Sequence, residues 1–378
     1  MDRNPPVSIA HHFRDLPDPR QVGNCDHDLI DIIVIAICAV LCGQYAWTEI
    51  AFYGQDHSQW LKTFLRLRNG IPSHDCFRYV FTRLDPQAFQ RCFAAWIEAL
   101  SHVTGLKHIA VDGKSLCGSR CRGKAALHLV SAWASANHLT LGQVAVDDKS
   151  NEITAIPRLL EILQLHGAIV TIDALGCQKE IAAQVRDQGG NYVLAVKDNQ
   201  PRLLEDIQAT LSRHLDQTAA VDDGSCIEMI DRGHGRQEVR TYTLVTDLEL
   251  VRDRELWRDL HGVCLAVNER TSDGVTSVEA RYYIGSLHGT VQEYARVIRD
   301  HWGIENGCHW VLDVTFREDA SRNRAEHGAE NLAWLRRMAL SLLKNDTTCD
   351  RSLRAKSAKA LADHDFLLQL LSRVSREE

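Results

Sequence analysis

The feature that most constrains this chain is a change of hydrophobic period after residue 105. Short apolar runs then alternate first with turn residues and afterwards with helical segments, which predicts the element order β-β-β-α-β-α-β. Strands that are joined by helices within one sheet are expected to run parallel, with right-handed crossovers. The order therefore predicts an α/β fold in which a mixed five-stranded sheet carries helices on its faces.

The segments behind this order are short, largely apolar and bounded by turn signals. The strand candidates are His108 to Val111, Leu127 to Ala134, Leu139 to Val146, Ala168 to Ile172 and Tyr192 to Val196. Pro157 suits the first turn of a helix that stops at Gly167, a second helix fits 177–188, and Asp112-Gly113-Lys114 is typical of a turn. Two hairpins followed by helical crossovers are the element order of the RNase H-like fold.

The segments on either side of this core have different patterns. Residues 1–104 repeat apolar side chains at helical spacing and predict a helical N-terminal domain. Short strand candidates predict a β-rich insertion over 210–288, which separates core segments 105–209 and 289–345. The charged, Ala/Ser-rich residues 346–378 predict a C-terminal helical tail, with a last helix around 357–373.

Composition narrows the class of protein. Hydrophobic residues make up 45% and the longest fully apolar run, Ile32 to Cys42, has 11 residues, whereas a membrane span needs roughly 20. We therefore expect a cytoplasmic protein without membrane association. The net charge of −7 argues against a protein that coats nucleic acid but is compatible with a nucleic-acid enzyme that has local basic patches. The 12 cysteines, none spaced C-x-x-C, are interpreted as reduced thiols.

Three carboxylates stand where metal ions could bind. Asp112 and Asp173 follow predicted buried strands, and ligand sites of open α/β sheets lie at the carboxyl ends of strands. Glu305 falls on the apolar stripe of a helix predicted over 290–311, so we expect it to face the sheet. A buried carboxylate is costly unless it is paired or metallated, and Mg²⁺ prefers oxygen ligands. The pattern favours a two-metal site for phosphodiester chemistry.

Simpler interpretations of each carboxylate stay open on this evidence. Asp112 precedes a glycine and could form a turn, and Asp173 could cap the next helix. Glu305 could form an ion pair with Arg299 or Arg336. The spacing of the three residues along the chain does not decide between these interpretations.

A series of motifs, in order along the chain, carries a resemblance to a known family. The motifs include Phe13-Arg-Asp-Leu-Pro-Asp-Pro-Arg20, Gly70-Ile-Pro-Ser-His-Asp75, Val111-Asp-Gly-Lys-Ser115, Lys149-Ser-Asn-Glu-Ile-Thr-Ala-Ile-Pro157, Val170-Thr-Ile-Asp-Ala174, His234-Gly-Arg-Gln-Glu-Val-Arg240 and His301-Trp-Gly-Ile-Glu-Asn306. Over nearly its whole length the chain resembles DDE-type insertion-sequence transposases of the H-repeat-associated protein group. It departs from the tyrosine-arginine-glutamate-lysine signature of related transposases, with Ile298 and His301 at the tyrosine and arginine positions.

The resemblance implies a function and a catalytic site. The family's catalytic carboxylates map onto Asp112, Asp173 and Glu305, which would bind Mg²⁺, with Mn²⁺ as a substitute. Such a protein would bind the terminal repeats of its own element, cut there to expose a 3′-hydroxyl, and join that hydroxyl to target DNA. Joining two ends implies at least a dimer on DNA. The N-terminal helical domain would read the DNA ends or form the dimer, and the protein would be associated with the nucleoid.

Further polar residues are candidates for contacts with DNA or for support of the carboxylates. The candidate DNA contacts are Lys114, Arg120, Arg122, Lys124, Lys197, Asn199, His234, Arg236, Arg240 and Arg299. Lysine and arginine near a scissile phosphate would add salt-sensitive affinity that does not depend on sequence. The candidate supporting residues are Glu238, which would hold Arg236 and Arg240 in place, and His301, Asn306 and His309 near Glu305. Solvated loops, an exposed ion-pair ladder and ordinary packing are the alternatives.

Two rival functions stay open. The chain could be a catalytically inactive DNA-binding remnant of a transposase, which an assay for metal-dependent cleavage would distinguish from an active enzyme. A phosphatase with Asp112 as nucleophile belongs to a different class of enzyme. Such phosphatases usually carry a second aspartate two residues later, where this chain has Lys114.

Overall fold

The computed structural model describes most of the chain. The described residues are 7–21, 23, 25–101, 108–123, 125–146, 151–218, 224–233, 236–272 and 274–372. Two of the predicted DNA contacts, Lys124 and His234, lie outside them, and so does the side chain of Arg236.

The described strands form one mixed nine-stranded sheet. They are β1 His108–Leu116, β2 Leu127–Ala134, β3 Leu139–Ala145, β4 Ile169–Ile172, β5 Asn191–Val196, β6 Cys226–Gly233, β7 Arg236–Val245, β8 Gly262–Ser272 and β9 Val275–Gly285. Their order across the sheet is β3-β2-β1-β4-β5-β9-β8-β7-β6. β4 is parallel to both of its neighbours, β1 and β5, and the other neighbouring pairs are antiparallel.

The predicted α/β class with N-terminal helices is confirmed, but the predicted five-stranded sheet is too small. The five core strands are present in the order β3-β2-β1-β4-β5, and the strands of the β-rich insertion continue the same sheet because β9 pairs with β5. Without β9, β5 would be an open edge whose unpaired backbone groups need a partner. The pairing therefore joins what the sequence pattern predicted as an insertion directly to the core.

The helices lie before, between and after these strands. They are α1 Val7–His12, α2 Leu29–Leu41, α3 Trp47–Asp56, α4 Ser58–Leu61, α5 His74–Arg83, α6 Pro86–Ser101, α7 Glu152–Glu161, α8 Lys179–Asp187, α9 Pro201–Thr218, α10 Val291–His301, α11 Trp310–Val314, α12 Gly328–Asn345, α13 Leu353–Ala362 and α14 His364–Ser372. No helix in the described part of the chain combines the length and the apolar character that a membrane crossing requires.

Two local predictions near the core strands are wrong. The turn predicted at Asp112-Gly113-Lys114 is part of β1, because antiparallel pairing with β2, which places Gly113 opposite Val130, keeps the backbone extended. The helix predicted from Pro157 begins at Glu152 instead. It starts there because the side chain of Asn151 accepts a hydrogen bond from the Ile153 amide and caps the helix.

Two predicted helices are each interrupted. The helix predicted over 290–311 is α10, then a π-helical turn over Glu305–His309, then α11. The helix predicted around 357–373 belongs to two helices, α13 and α14, because the backbone of Asp363 is extended and its side chain accepts a hydrogen bond from the Phe366 amide. π-Turns inside helices occur frequently at functional sites, so the first interruption is relevant to the carboxylate at position 305.

α12 joins the N-terminal helices to the sheet. It contacts α2, α5 and α6 on one side and β3 on another. Its Trp334 is fully buried and packs on Phe93 of α6, with ring centroids 4.5 Å apart. The resulting hydrophobic core extends to Val111 and Ile172, the last residues before the two aspartates. Packing of the helical region thus supports the strand ends that carry the candidate site.

A buried ion pair fixes the segment that follows α11. The carboxylate of Glu318 lies 2.7 Å from Nη1 of Arg337 in α12, and both side chains are fully buried. Removing one member would leave the other charge buried without its partner, so we expect Glu318→Ala to lower the free energy of unfolding by about 3–5 kcal/mol. Urea denaturation followed by circular dichroism measures this loss.

The control for this prediction is an exposed ion pair. Glu249 pairs with Arg213 at 2.9 Å, and its side chain is 76% exposed. Glu249→Ala should cost less than about 1 kcal/mol, because solvent screens the interaction. Equal losses in the two variants would contradict the importance of the buried pair.

Candidate active site

Asp112 within β1 and Asp173 directly after β4 lie at the same level of the sheet. The parallel pairing of β1 with β4 ends where Val111 lies opposite Ile172, and the two aspartates are the next residues on each chain segment. Neighbouring strands are about 4.8 Å apart, so the backbones that carry these carboxylates are held side by side. Both side chains line one cleft.

Glu305 belongs to the wall of the same cleft. The cleft has a volume of about 490 Å³, and Lys197, Arg281 and Trp302 also line it. We expected Glu305 to be buried against the sheet, but it is exposed. Glu305 begins the π-helical turn, and its exposed side chain lines the cleft together with Asp112 and Asp173.

The two aspartates have opposite electrostatic environments. Burial raises the pKa of Asp173 to about 6, with further contributions from the negative charges of Glu152 and Asp112. Burial also acts to raise the pKa of Asp112, but a hydrogen bond from His309 and the proximity of that ring outweigh it, so the pKa lies below its usual value. Nδ1 of His309 is 3.4 Å from Oδ2 of Asp112. Asp112 is therefore the more readily ionised member of the pair.

Histidines connect α10 to the strand that carries Asp173. The hydroxyl of Thr171 in β4 is 2.9 Å from Nδ1 of His301 and 2.9 Å from Nε2 of His108. Burial lowers the pKa of His301, and burial together with His301 lowers the pKa of His108 to about 3. Both rings are consequently neutral near pH 7 and act as hydrogen-bonding groups rather than as charges. Asn306, another predicted supporting residue, is exposed.

The acidic residues suit a divalent cation by donor type and charge. Within the described residues, no three His, Cys, Asp or Glu side chains are arranged as ligands of one metal ion. Asp112 and Asp173 nevertheless offer carboxylate oxygens, the donors that Mg²⁺ prefers, and like charges this close disfavour double ionisation without a cation. In addition, Nε2 of His309 is a buried polar atom without a hydrogen-bond partner among the described residues.

Two predicted DNA contacts make internal interactions. Nζ of Lys114 is 2.6 Å from Asp313 and 3.7 Å from Asp319, and the lysine is 8% exposed. These ion pairs tie β1 to the segment around the end of α11. Asn199 donates a hydrogen bond from its side-chain amide to the carbonyl oxygen of Ala174, at 2.6 Å.

A network of ion pairs holds the predicted basic residues of the insertion. Arg240 pairs with Glu238 and also lies 3.7 Å from Asp231. Arg299 of α10 donates to the same Asp231 at 3.0 Å. The network therefore connects β6 and β7 to the helix that precedes Glu305. By contrast, the predicted contacts Arg120, Arg122 and Lys197 are exposed.

Sequence reasoning missed two charged residues at the site. Glu152 raises the pKa of Asp173, and its signal in the sequence is Asn151, a good N-cap residue directly before an amphipathic segment. Arg281 of β9 lines the cleft, stacks its guanidinium 4.3 Å from the ring centroid of Trp302 and pairs with Glu279. No local pattern indicates Arg281, because its position depends on the pairing of β9 with β5.

Comparisons with known proteins agree with the motifs. A "DDE_Tnp_1-associated" model matches residues 10–97, and the model of the "Transposase DDE domain" family matches residues 103–342. The chain is 36% identical over 372 residues to the H repeat-associated putative transposase YhhI of Escherichia coli (strain K12), covering 96% of this chain and 97% of the relative. It is 37% identical over 374 residues to the putative transposase YncI of Escherichia coli O157:H7, covering 97% and 95%.

One solved structure is also similar. A chain of the piggyBac transposase synaptic complex with hairpin DNA aligns with a TM-score of 0.40 and 10% sequence identity, covering 98% of this chain and 81% of its own.

The raised pKa of Asp173 predicts how stability depends on pH. The folded protein holds this proton up to about pH 6, so stability that is present at low pH is lost as the pH rises through that value. Asparagine cannot ionise. Asp173→Asn should therefore melt at a higher temperature than the unchanged protein at about pH 8, and at a similar temperature at about pH 4. Differential scanning fluorimetry without divalent cations measures both.

The control variant is Asp216→Asn. Asp216 is exposed in α9 and does not line the cleft, so its replacement should leave the melting temperature unchanged at both pH values. If Asp173→Asn changed the melting temperature equally at low and high pH, ionisation of Asp173 would not destabilise the folded protein.

Proposed function

Since this chain belongs to the DDE transposase family, we propose that it is the DNA transposase of an insertion-sequence element. In this proposal it binds the ends of its own element, hydrolyses a phosphodiester bond to expose a 3′-hydroxyl, and joins that hydroxyl to target DNA. The observation that best supports it is the placement of Asp112 and Asp173 at matching positions on neighbouring parallel strands, in a cleft that also contains Glu305.

Both reactions of this proposal are in-line displacements at phosphorus. In the first, the oxygen of water attacks and the 3′-oxygen at the element end leaves. In the second, that 3′-oxygen attacks a phosphodiester of the target, and the 3′-oxygen of the target strand leaves. Because nucleophile and leaving group are oxygens in both, one set of carboxylates can serve both reactions.

We assign the metal-binding role to Asp112, Asp173 and Glu305, with Mg²⁺ as the cofactor and Mn²⁺ as a substitute. Bound divalent ions would favour ionisation of the attacking hydroxyl and stabilise charge on the departing oxygen. His309 keeps Asp112 in its ionised form. His301, through Thr171, holds α10 on β4 and so helps to locate the turn that carries Glu305.

The proposed DNA contacts are exposed cations that follow β1 or line the cleft. Arg120 and Arg122 follow β1 and are exposed, while Lys197 is exposed and lines the cleft itself. Cations at these places would bind backbone phosphates and position the scissile bond without reading sequence. Lys114, Arg240, Arg281 and Arg299 are less available because each is engaged in an ion pair.

The proposed domain roles follow the same division as the sequence pattern. The catalytic core is an RNase H-like unit of residues 105–209 and 289–345, with the β-rich insertion 210–288 extending its sheet. The helical domain 1–104 reads the element ends or forms a dimer, and 346–378 is a helical tail. The active species is at least a dimer on DNA, and the protein is cytoplasmic and associated with the nucleoid.

A catalytically inactive DNA-binding remnant is the second candidate function. The exposure of Glu305 favours it, as does the lack of three converging metal ligands in the described part of the chain. Both candidates predict binding to element ends, but only the transposase predicts cleavage. A divalent-ion-dependent nicking assay on duplexes from the DNA that flanks the gene separates them.

The carboxylate assignment predicts the behaviour of three variants. Asp112→Asn, Asp173→Asn and Glu305→Gln remove one negative charge each while keeping the side-chain size, so each should reduce nicking by more than about a hundredfold. Binding of the same duplex, measured by fluorescence anisotropy, should be largely retained. Full activity in any one variant would remove that residue from the catalytic set, and Asp216→Asn serves as the active control.

The assignment of DNA contacts predicts a change in salt dependence. The double variant Arg120→Ala/Arg122→Ala loses two phosphate contacts, so the slope of log affinity against log salt concentration should become shallower by about 2. Anisotropy titrations at several salt concentrations measure the slope. Arg254→Ala removes an exposed arginine that does not line the cleft and should leave the slope unchanged. An unchanged slope in the double variant would place the phosphate contacts elsewhere.

A further inference from the structure

We propose that Glu152 is an additional metal-binding carboxylate of the candidate active site, which acts beside Asp112 and Asp173, and that His128 is its positioning residue. This inference rests on the proposed function and extends it. Neither the motifs of the family nor the comparisons assign a role to Glu152. Its support comes from the start of α7, the space above Gly113, and a chain of hydrogen bonds across β1 and β2.

The start of α7 aims Glu152 at the strand that carries Asp112. Asn151 caps the helix, which makes Glu152 its first residue. Acidic residues are favoured in the first turn of a helix, where the backbone amide groups lack partners within the helix. The side chain of Glu152 is only 15% exposed, so its charge is held within the protein rather than in bulk solvent.

Gly113 provides the space that the Glu152 carboxylate occupies. A Cβ atom built on Gly113 would lie 2.2 Å from Oε1 of Glu152 and 2.6 Å from Nε2 of His128. Gly113 directly follows Asp112 on β1, so the carboxylate lies against the backbone next to a proposed metal ligand. Any side chain at position 113 would have to displace the glutamate. The need for glycine here is therefore one of space, not of backbone conformation.

His128 fixes the orientation of Glu152. Its Nε2 is 2.6 Å from Oε1 of Glu152, and its Nδ1 is 2.8 Å from the hydroxyl of Ser115. Ser115 lies opposite His128 in the antiparallel pairing of β1 with β2, so the sheet itself sets the position of the ring. His128 contacts one carboxylate oxygen, and a carboxylate has a second oxygen with which to bind a cation. This is the usual support of a metal-binding carboxylate by an outer hydrogen bond.

The negative charges around Glu152 favour the binding of a cation. Oε1 of Glu152 lies against the backbone of Gly113, the residue that follows Asp112, so the negative charge of Glu152 is close to that aspartate. The nearby lysine at position 114 is directed to Asp313 and Asp319 instead. Asp112 and Asp173 line the cleft, and Glu152 lies against the neighbouring backbone of Gly113. His309 contacts Asp112 and His128 contacts Glu152, and a divalent ion would offset the mutual repulsion of the three carboxylates.

The test is direct binding of Mn²⁺ to the full chain without DNA, measured from the electron paramagnetic resonance of the free ion. Glu152→Gln should weaken Mn²⁺ binding by about tenfold or more. Gly113→Ala should weaken it similarly while every carboxylate is kept, because the new methyl group displaces the Glu152 side chain. The double variant should bind little worse than either single variant. Glu161→Gln, at the exposed far end of α7, is the matched control and should bind like the unchanged protein.

The role of His128 has its own readout. His128→Ala should weaken Mn²⁺ binding, whereas His128→Gln should restore much of it, because the glutamine amide can donate to Glu152 from the same position as Nε2. A merely structural role would not separate these two variants when circular dichroism shows that both are folded.

The outcomes for Glu152 and for the proposed function can be told apart. Unchanged Mn²⁺ affinity in both Glu152→Gln and Gly113→Ala, with a loss in Asp112→Asn, would overturn the role of Glu152 and leave the transposase proposal intact. Tight, Glu152-dependent Mn²⁺ binding without any nicking of element-end duplexes would support the metal site and overturn the proposed function.

Discussion

The parallel pairing of β1 with β4 is the constraint on which the candidate site depends. It brings Asp112 and Asp173, which are distant in the sequence, to the same level on neighbouring strands. Both carboxylates are partly buried, and burial together with the negative charges of Glu152 and Asp112 raises the pKa of Asp173 to about 6. Natural proteins usually relieve such repulsion with a proton, a basic side chain or a cation. Here the ring of His309 contacts Asp112, and we propose that a cation offsets the negative charge of Asp173.

The rest of the fold holds this pair of strands in place from several directions. α12 packs the N-terminal helices onto the core behind Val111 and Ile172, and the pair of Glu318 with Arg337 anchors the segment after α11. On the other side, β9 continues the sheet from β5 and brings Arg281 to the cleft. The insertion is thus part of the site, not a separate module beside it.

Much of the core was predictable because its signals are local. The strands around 127–134, 139–145, 169–172 and 191–196 have apolar runs bounded by turn residues, and the structure has them within a residue or two of the predicted bounds. The predictions that were wrong depended on partners distant in sequence. Asp112-Gly113-Lys114 resembles a turn because nothing local shows that β2 pairs with it. Helical periodicity predicts which face of a helix carries Glu305, but it does not show that this face borders a cleft.

The amino-acid sequence alone determined the class of the fold, the order of its core elements, the strand end that precedes Asp173 and, through its motifs, the family. These depend on periodicity, turn chemistry and residue identity within short windows. Only the tertiary structure decided which charged side chains lie in contact. In the folded chain Lys114 and Arg299 form ion pairs, and Glu152 and His128 lie against the backbone beside Asp112. The strands of the insertion continue the core sheet. Such outcomes depend on strand register and side-chain packing between distant segments, and no local pattern encodes them.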